Sequence, residues 1–510
     1  MDPRTLVASW RSGRARPGPN LSLTLDERRA PSVADKMRRA YAWITESAVV
    51  CPYLDIAIGE PVTLGRDDAR VELRRVGFAS YALIPLLNLV TSQRLLFIGA
   101  PGRGKTTMAT LMALLAGLPL DEVRRLVQHG HPQLTISDLL GSPLPSELIR
   151  AESSGEIRVA WRRWIAMRVK IIDEYNRIPT KTQSALLSLM AEGYAETFEQ
   201  VVHAGRSAWY LTANDDLGGG TFPVIEALKD RIDVVVRCTP FNSRFIGDLA
   251  ARVAAGAPPE ARVPADVIFT PGELDRAEAE IRALPVPEEV TGALGFFAGQ
   301  LEFCRRASDT LEFRNKDTLH LAGRRVAHVC SEDCPLDKQV HLCTQTENGV
   351  SARALQAVLL FAKALAYFRG EPQVSIEDVR QVLPFVLHEK LKHNPQSAYF
   401  QKAEHQTLLL DRITWIRRLF DQALVQHAAY EPLRAPVRKA AADLAAAGAL
   451  PAPELRRRLA QVQRLIEELL GKQELGGALY DDLVLLKSIH ARYQDQLSAA
   501  ERLGRAAGVA

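Results

Sequence analysis

The sequence predicts an α/β fold, a mostly parallel sheet carrying a phosphate-binding loop, with an N-terminal extension before it and helical segments after it. Three observations predict this. Gly99-Ala100-Pro101-Gly102-Arg103-Gly104-Lys105-Thr106 fits G-x-x-x-x-G-K-[ST]. Between about Val76 and Arg237, apolar runs alternate with amphipathic stretches, the pattern of parallel strands and crossover helices. Past Asn394-Pro395 the apolar residues recur at helical spacing.

The loop has the context its chemistry needs. Arg94 to Ile98 reads as a buried strand before it, and Thr106 to Ala116 as a helix after it, stopped by Gly117-Leu118-Pro119. Glycines let backbone N–H groups turn inward around phosphates, and the helix start adds the positive end of its dipole. Lys105 is expected to reach the β- and γ-phosphates, and the Thr106 hydroxyl, followed by Thr107, to sit at Mg²⁺.

Further along, Val169 to Ile172 is an apolar strand ending in Asp173-Glu174. In phosphate-loop enzymes the first carboxylate serves the Mg²⁺ shell, and Glu174 is placed to orient and deprotonate an attacking water. The strand-like run Ala208 to Thr212 leads to Asn214, which could hydrogen-bond that water or the γ-phosphate; the alternative is an Asn in a turn. A short helix, Ile225 to Ile232, carries Arg231 just before the strand Asp233 to Val236. Arg231 is suited to act across a subunit boundary, or to pair locally with Glu226 or Asp230. Arg353 opens a helical run that lasts to about Gly370, and could reach nucleotide or simply face solvent.

The rest of the chain is read by pattern. Arg11 to Asn20 has a flexible composition, and Ser32 to Ser47 is helical with Ser32 as a cap. Tyr194 to Ser207 alternates like a hairpin. Trp161 and Trp164 are either core packing or an exposed grip on a partner. After residue 395, stripes through Ile416 and Phe420, through Leu455 to Leu469, and through Leu479 to Leu497 predict a small bundle. Breaks are expected at Pro432 to Pro436, Gly448 to Pro453 and Gly471 to Gly477.

Cys304, Cys330, Cys334 and Cys343 fall within one stretch of about 40 residues, with His320, His328 and His341 nearby. Four thiolates would close a tetrahedral structural Zn²⁺ site. The spacing lacks paired C-x₂-C knuckles, and the alternative is four reduced cysteines. Cys51 and Cys238 read as isolated buried residues.

Composition bounds the function. The 510 residues are 47% hydrophobic and 24% charged, which describes a globular chain long enough for several domains. A formal net charge of +4 gives no electrostatic case for nucleic acid. No apolar run approaches the ~20 residues of a membrane span, and the arginine-bearing N-terminus lacks the apolar core of a secretory signal. A cytoplasmic location with reduced thiols is expected.

Taken in order, these features resemble an AAA+ ATPase, and more closely the MoxR group. The resemblance is carried by DEYNRIPTKTQSALLSLMAEG (173–193), TISDLLG (135–141), ELDRAEAEIRALPVPEEV (273–290), SARALQAVLLFAKALA (351–366) and VSIEDVRQVLP (374–384). It implies a P-loop AAA+ α/β core over 76–245 and a helical lid over 246–395 with a cysteine-containing insertion at about 304–345. A 1–75 extension and a 396–510 helical region flank them. It makes Lys105 and Thr106 the Walker A pair, Asp173 and Glu174 the Walker B pair, Asn214 sensor 1, Arg231 the arginine finger and Arg353 sensor 2. It implies ATP and Mg²⁺, a homo-oligomeric ring (a hexamer), and a protein client of the von Willebrand factor A class. A nucleic-acid motor on the same core, with Arg162 and Arg163 gripping phosphates, and a nucleotide-locked assembly scaffold are the rival readings.

Overall fold

A computed structural model describes residues 32–49, 52–66, 69–144, 157–214, 226–256, 258–331, 334, 336, 341–448, 450–471 and 476–508. Arg11 to Asn20, Cys51 and residues 145–156 lie outside these residues. The described chain forms two compact units. The first takes residues 1–232, 236–284 and 364–372; the second takes 285–363 and 373–510, together with 233–235.

The described residues hold thirteen strands in chain order. β1 (Ile56–Ile58), β2 (Val62–Arg66), β3 (Ala69–Leu73) and β4 (Val76–Phe78) precede the core. The next are β5 (Arg94–Ile98), β6 (Gln128–His129), β7 (Gly141–Pro143), β8 (Val159–Trp161) and β9 (Val169–Asp173). β10 (Tyr194–Thr197), β11 (Gln200–His203), β12 (Ala208–Ala213) and β13 (Val234–Arg237) complete the set.

The central sheet runs β13-β5-β12-β9-β6. The pairs β5–β12, β12–β9 and β9–β6 are parallel. Its middle strands are almost wholly buried, as a parallel sheet covered on both faces must be, and they therefore read as continuous apolar runs. Because the strands are parallel, their C-terminal ends gather along one edge. The register pairs Ala213 with Ile98 and Leu211 with Ile172. That brings the loop after β5, the carboxylates after β9 and the amide after β12 side by side.

The N-terminal extension contributes a docked helix. Ser32 and Asp35 form a reciprocal capping box at the start of Val33–Trp43. Met37, Ala40 and Ile44 are fully buried. Tyr41 packs edge-on against Phe78 and Phe368, and Lys36 pairs with Glu273 at 2.9 Å.

The second unit is helical. One apolar cluster joins residues of Arg412–Ala446, Ala452–Leu470 and Gly477–Gly508. Two of the three expected stripes lie in it: Leu455, Leu459, Val462 and Leu469 on one helix meet Leu479, Leu483, Leu486 and Leu497 on the next. One expectation fails. The break at Pro432 to Pro436 is absent, and a single 35-residue helix runs through both prolines. Each proline removes one backbone donor. The two are four apart, so the N–H missing at Pro436 is the one that would have met the Pro432 carbonyl. The helix is held on either side of them by the buried side chains of Phe420 and Val437, and between them by the part-buried Arg434–Asp482 pair at 2.8 Å.

Candidate active site

The phosphate loop turns as the glycines require. Gly102 and Gly104 have φ of 74° and 75°, a left-handed conformation that costs a side-chain-bearing residue about 1–2 kcal/mol. Gly104 is the residue before the helix Lys105–Leu115, and the Tyr81 hydroxyl donates to Arg103 O at 3.1 Å beside it. Lys105 is buried. Its ammonium donates to Ala100 O at 3.0 Å and to Asn214 Oδ1 at 2.8 Å, and also to Gly99 O.

The carboxylates meet the loop from β9. Thr106 Oγ1 donates to Asp173 Oδ1 at 2.8 Å. Thr212, wholly buried on β12, donates to the same oxygen at 2.6 Å and accepts from the Glu174 N–H at 2.9 Å. Glu174 itself has φ 53° and ψ 48°, a left-handed residue outside glycine. The Thr212 hydroxyl thus ties down the strained turn on which the second carboxylate stands. Asn214 Nδ2 donates to Glu174 Oε1 at 2.9 Å, and Arg177 Nη1 lies 3.2 Å from Glu174 Oε2. His129, opposite Asp173 on β6, stands 3.5 Å from Asp173 Oδ2.

Pro101 to Thr107, Asp173, Glu174, Thr212 and Asn214 line one cleft of about 380 Å³. A second, more apolar cavity of about 610 Å³ shares Gly102, Arg103, Gly104 and Thr107 with it and extends past Tyr81, Val49, Phe241, Leu249 and Val253. A polar cleft with an apolar annex suits a phosphate chain joined to a planar base. The Thr106 hydroxyl and the Asp173 carboxylate are hard oxygen donors on the cleft wall. Such donors fit Mg²⁺, which keeps waters and takes one or two protein oxygens beside substrate phosphates.

The expected residues therefore divide. Gly99 to Thr107, Asp173, Glu174 and Asn214 converge. Arg231 does not line the cleft. It ends the helix Glu226–Arg231, its Nη1 donates to Ala227 O at 2.9 Å, and its Nε is buried with no partner among the described residues. Arg353 stands at the start of Ala352–Arg369, in the second unit. Trp164 is core: it is buried, its Nε1 donates to Leu139 O at 2.7 Å, and it packs edge-on against Trp209. Thr212 and Arg177 were missed. Thr212 looks in sequence like one more strand residue, and Arg177 like a surface arginine after the acidic pair.

The zinc expectation finds no support. Among the described residues, no group of three or more His, Cys, Asp or Glu side chains is arranged to hold a metal ion. Cys304 and Cys330 pack in a small apolar cluster with Leu319, Val326 and Val329, whereas Cys334 and Cys343 pack in the larger one with Phe303 and Leu336. Burial pushes the Cys343 thiol up to about 12 and raises Cys304 as well. Lys316 is buried beside them and donates to Thr346 O at 2.8 Å; burial lowers its pKa, against the opposing pull of Cys343, Cys330 and Cys304.

Comparison with known proteins gives two family matches. Residues 94–234 match the ATPase family associated with various cellular activities (AAA). Residues 339–408 match the AAA lid domain. The chain is 22% identical over 348 residues to the uncharacterized protein YeaC of Bacillus subtilis, covering 66% of this chain and 89% of that protein. It is 22% identical over 307 residues to the chaperone MoxR1 of Mycobacterium tuberculosis, covering 60% of this chain and 69% of that one. A solved structure from Cytophaga hutchinsonii aligns at 17% identity over 75% of this chain and 94% of its own, with a TM-score of 0.48.

Proposed function

The chain is a MoxR-like member of the AAA+ ATPases, an ATP hydrolase, and from this premise we propose that it works as a homo-oligomeric ring, a hexamer, that remodels or assembles a protein partner of the von Willebrand factor A class. The observation that carries the hydrolytic part is the meeting of Lys105, Thr106, Asp173, Glu174 and Asn214 in one cleft at the ends of three parallel strands. The likeness to a MoxR chaperone supports the protein client.

In this reading the loop amides and Lys105 hold the β- and γ-phosphates. Thr106 and Asp173 would hold Mg²⁺, which neutralises phosphate charge when bound. Glu174 takes a proton from the attacking water, an assistance worth about 10²–10⁴ in rate. Asn214 orients the water and the carboxylate together. Arg231 is assigned to the neighbouring subunit's site, because its guanidinium does not line its own. Supplying positive charge there in trans is worth about 10³–10⁵. Arg353 is assigned to sensing nucleotide from the lid.

The test is ATP turnover per subunit against protein concentration, for the wild type, Glu174→Gln and Arg231→Ala. Turnover is expected to rise with concentration, as a shared site requires. Glu174→Gln is expected to bind ATP without hydrolysing it. Mixing it with Arg231→Ala is expected to restore turnover at interfaces that pair an intact Glu174 with an intact Arg231. Concentration-independent turnover with a silent Arg231→Ala would remove the shared site from the mechanism.

A further inference from the structure

We propose that neighbouring copies of the chain join by seating the β2–β3 ribbon of one copy on the apolar stripe of the helix Ile246–Ala255 of the next, where it also closes the apolar cavity beside the phosphate loop. The inference rests on the reading of the protein as a ring. It begins with the ribbon. Among the described residues, β2 and β3 pair only with each other. Their register sets Val62 opposite Leu73 and Leu64 opposite Val71. Side chains two apart on a strand share a face, so these four stand together, with Thr63, Glu72 and Arg70 on the other side. The four apolar side chains are 49–58% exposed. The pattern is that of a sheet with one covered face, yet water meets both. A two-stranded ribbon is marginal by itself, and an apolar sheet face needs a layer packed against it.

The matching surface lies on the helix Ile246–Ala255, in the same unit. Ile246, Leu249 and Val253 recur three and four apart, which makes one stripe, and Phe241 is exposed shortly before them. These four are 44–74% exposed, and the helix has no buried residue. It is tied to its own chain by a charged residue off the stripe: Arg252 donates to Ala48 O at 2.7 Å and to Ser47 O at 3.1 Å. A surface helix ordinarily turns its apolar stripe inward and its charges outward. The occupant is a second copy because a ring contact is heterologous and needs two different patches on every copy, one given and one received. The ribbon and the helix supply such a pair, and a sheet face on a helix stripe is a common layer. Their areas suffice. Half-exposed side chains of this size leave on the order of 100 Å² apiece. The two patches then hold about 800 Å² of apolar surface, which at the usual apolar share implies a contact of about 1,400 Å², inside the range of stable interfaces. Phe241, Leu249 and Val253 also line the apolar cavity, so the cavity opens to the surface there and a ribbon seated on them closes it.

The experiment is the mass of the full chain by light scattering against concentration, with MgATP, using Glu174→Gln as the parent. It is repeated with Leu64→Glu and Val71→Glu together on the ribbon, and separately with Ile246→Glu on the helix. Each set is expected to raise the concentration of half-assembly at least about tenfold, the scale of one lost anchor, with the thermal midpoint of the dilute chain unchanged. Mixing a chain that carries Leu64→Cys with one that carries Ile246→Cys is expected to give a dimer linked by a flexible bismaleimide, in excess of what either chain gives alone. A chain with both substitutions that links only within itself overturns the proposal, and so does a ribbon or helix variant that assembles as the parent does; both outcomes leave the ring standing. A parent that stays monomeric at every concentration removes the ring and this contact with it.

Discussion

At the scale of single residues, the site depends on one uncharged hydroxyl. Thr212 joins Asp173 and the Glu174 backbone in one step. Thr212→Val keeps the shape and removes both hydrogen bonds. The Glu174 N–H would lose its partner, at a cost of about 1–3 kcal/mol, and Asp173 Oδ1 would keep only Thr106. Turnover is expected to fall at least about tenfold, and the thermal midpoint to fall with it. Thr212→Ser, which restores the hydroxyl, is expected to recover most of both in the same assays. A variant with normal turnover would show that the αL turn at Glu174 holds itself. The residues with phosphate chemistry were legible in the sequence because their types are dictated by the ligand. Thr212 was not, since its role exists only when β9 and β12 lie side by side.

At the scale of the element, β9 holds a second feature that sequence reasoning passed over. Lys170 sits in the middle of this buried strand, 1% exposed. Its ammonium donates to Met167 O at 2.7 Å and lies over the Trp209 ring at 5.4 Å. Burial brings its pKa down from 10.5 to about 7. Between those values the unfolded chain binds a proton that the folded chain does not, so stability gains with rising pH across that window and is lost as pH falls toward 7. Lys170→Met is expected to flatten this slope, which approaches about 1.4 kcal/mol per pH unit at most. Denaturant melts of both proteins from pH 7 to 9.5 read the difference; parallel slopes would refute it. The window stops at 9.5 because Tyr210, raised by burial, begins to favour the unfolded chain above its ordinary value of 10.0. The helix Arg412–Ala446 makes the complementary point. Local rules placed a break at its prolines, and the packing of Val437 and Ala440 into the second unit's core prevailed.

At the scale of the whole molecule, ligand binding and folding are linked. A nucleotide held by the loop, Lys105 and Thr106 binds only the folded first unit. ATP at a hundredfold over its dissociation constant is therefore expected to add about 2.7 kcal/mol to the stability of that unit. The measurement is a thermal scan of Glu174→Gln, which removes hydrolysis from the readout, with and without MgATP. Lys105→Ala is expected to lose the shift. No helix among the described residues is long and apolar enough to cross a membrane.

The sequence by itself determined the loop, the carboxylate pair, the order of strands and helices and the family resemblance. Each of these is written in residues close together in the chain, where spacing and residue type are enough. Only the tertiary structure decided what depends on residues far apart. It brought Thr212 to Glu174 and Asn214 to Lys105, and left Arg231 outside its own cleft. It also packed Cys304 and Cys330 in one apolar cluster and Cys334 and Cys343 in another, all within electrostatic reach of each other, with a buried lysine beside them. The physical reason is the same in each case. Hydrogen bonds and burial are made by neighbours in space, and a parallel sheet takes its neighbours from strands that the chain visits tens of residues apart.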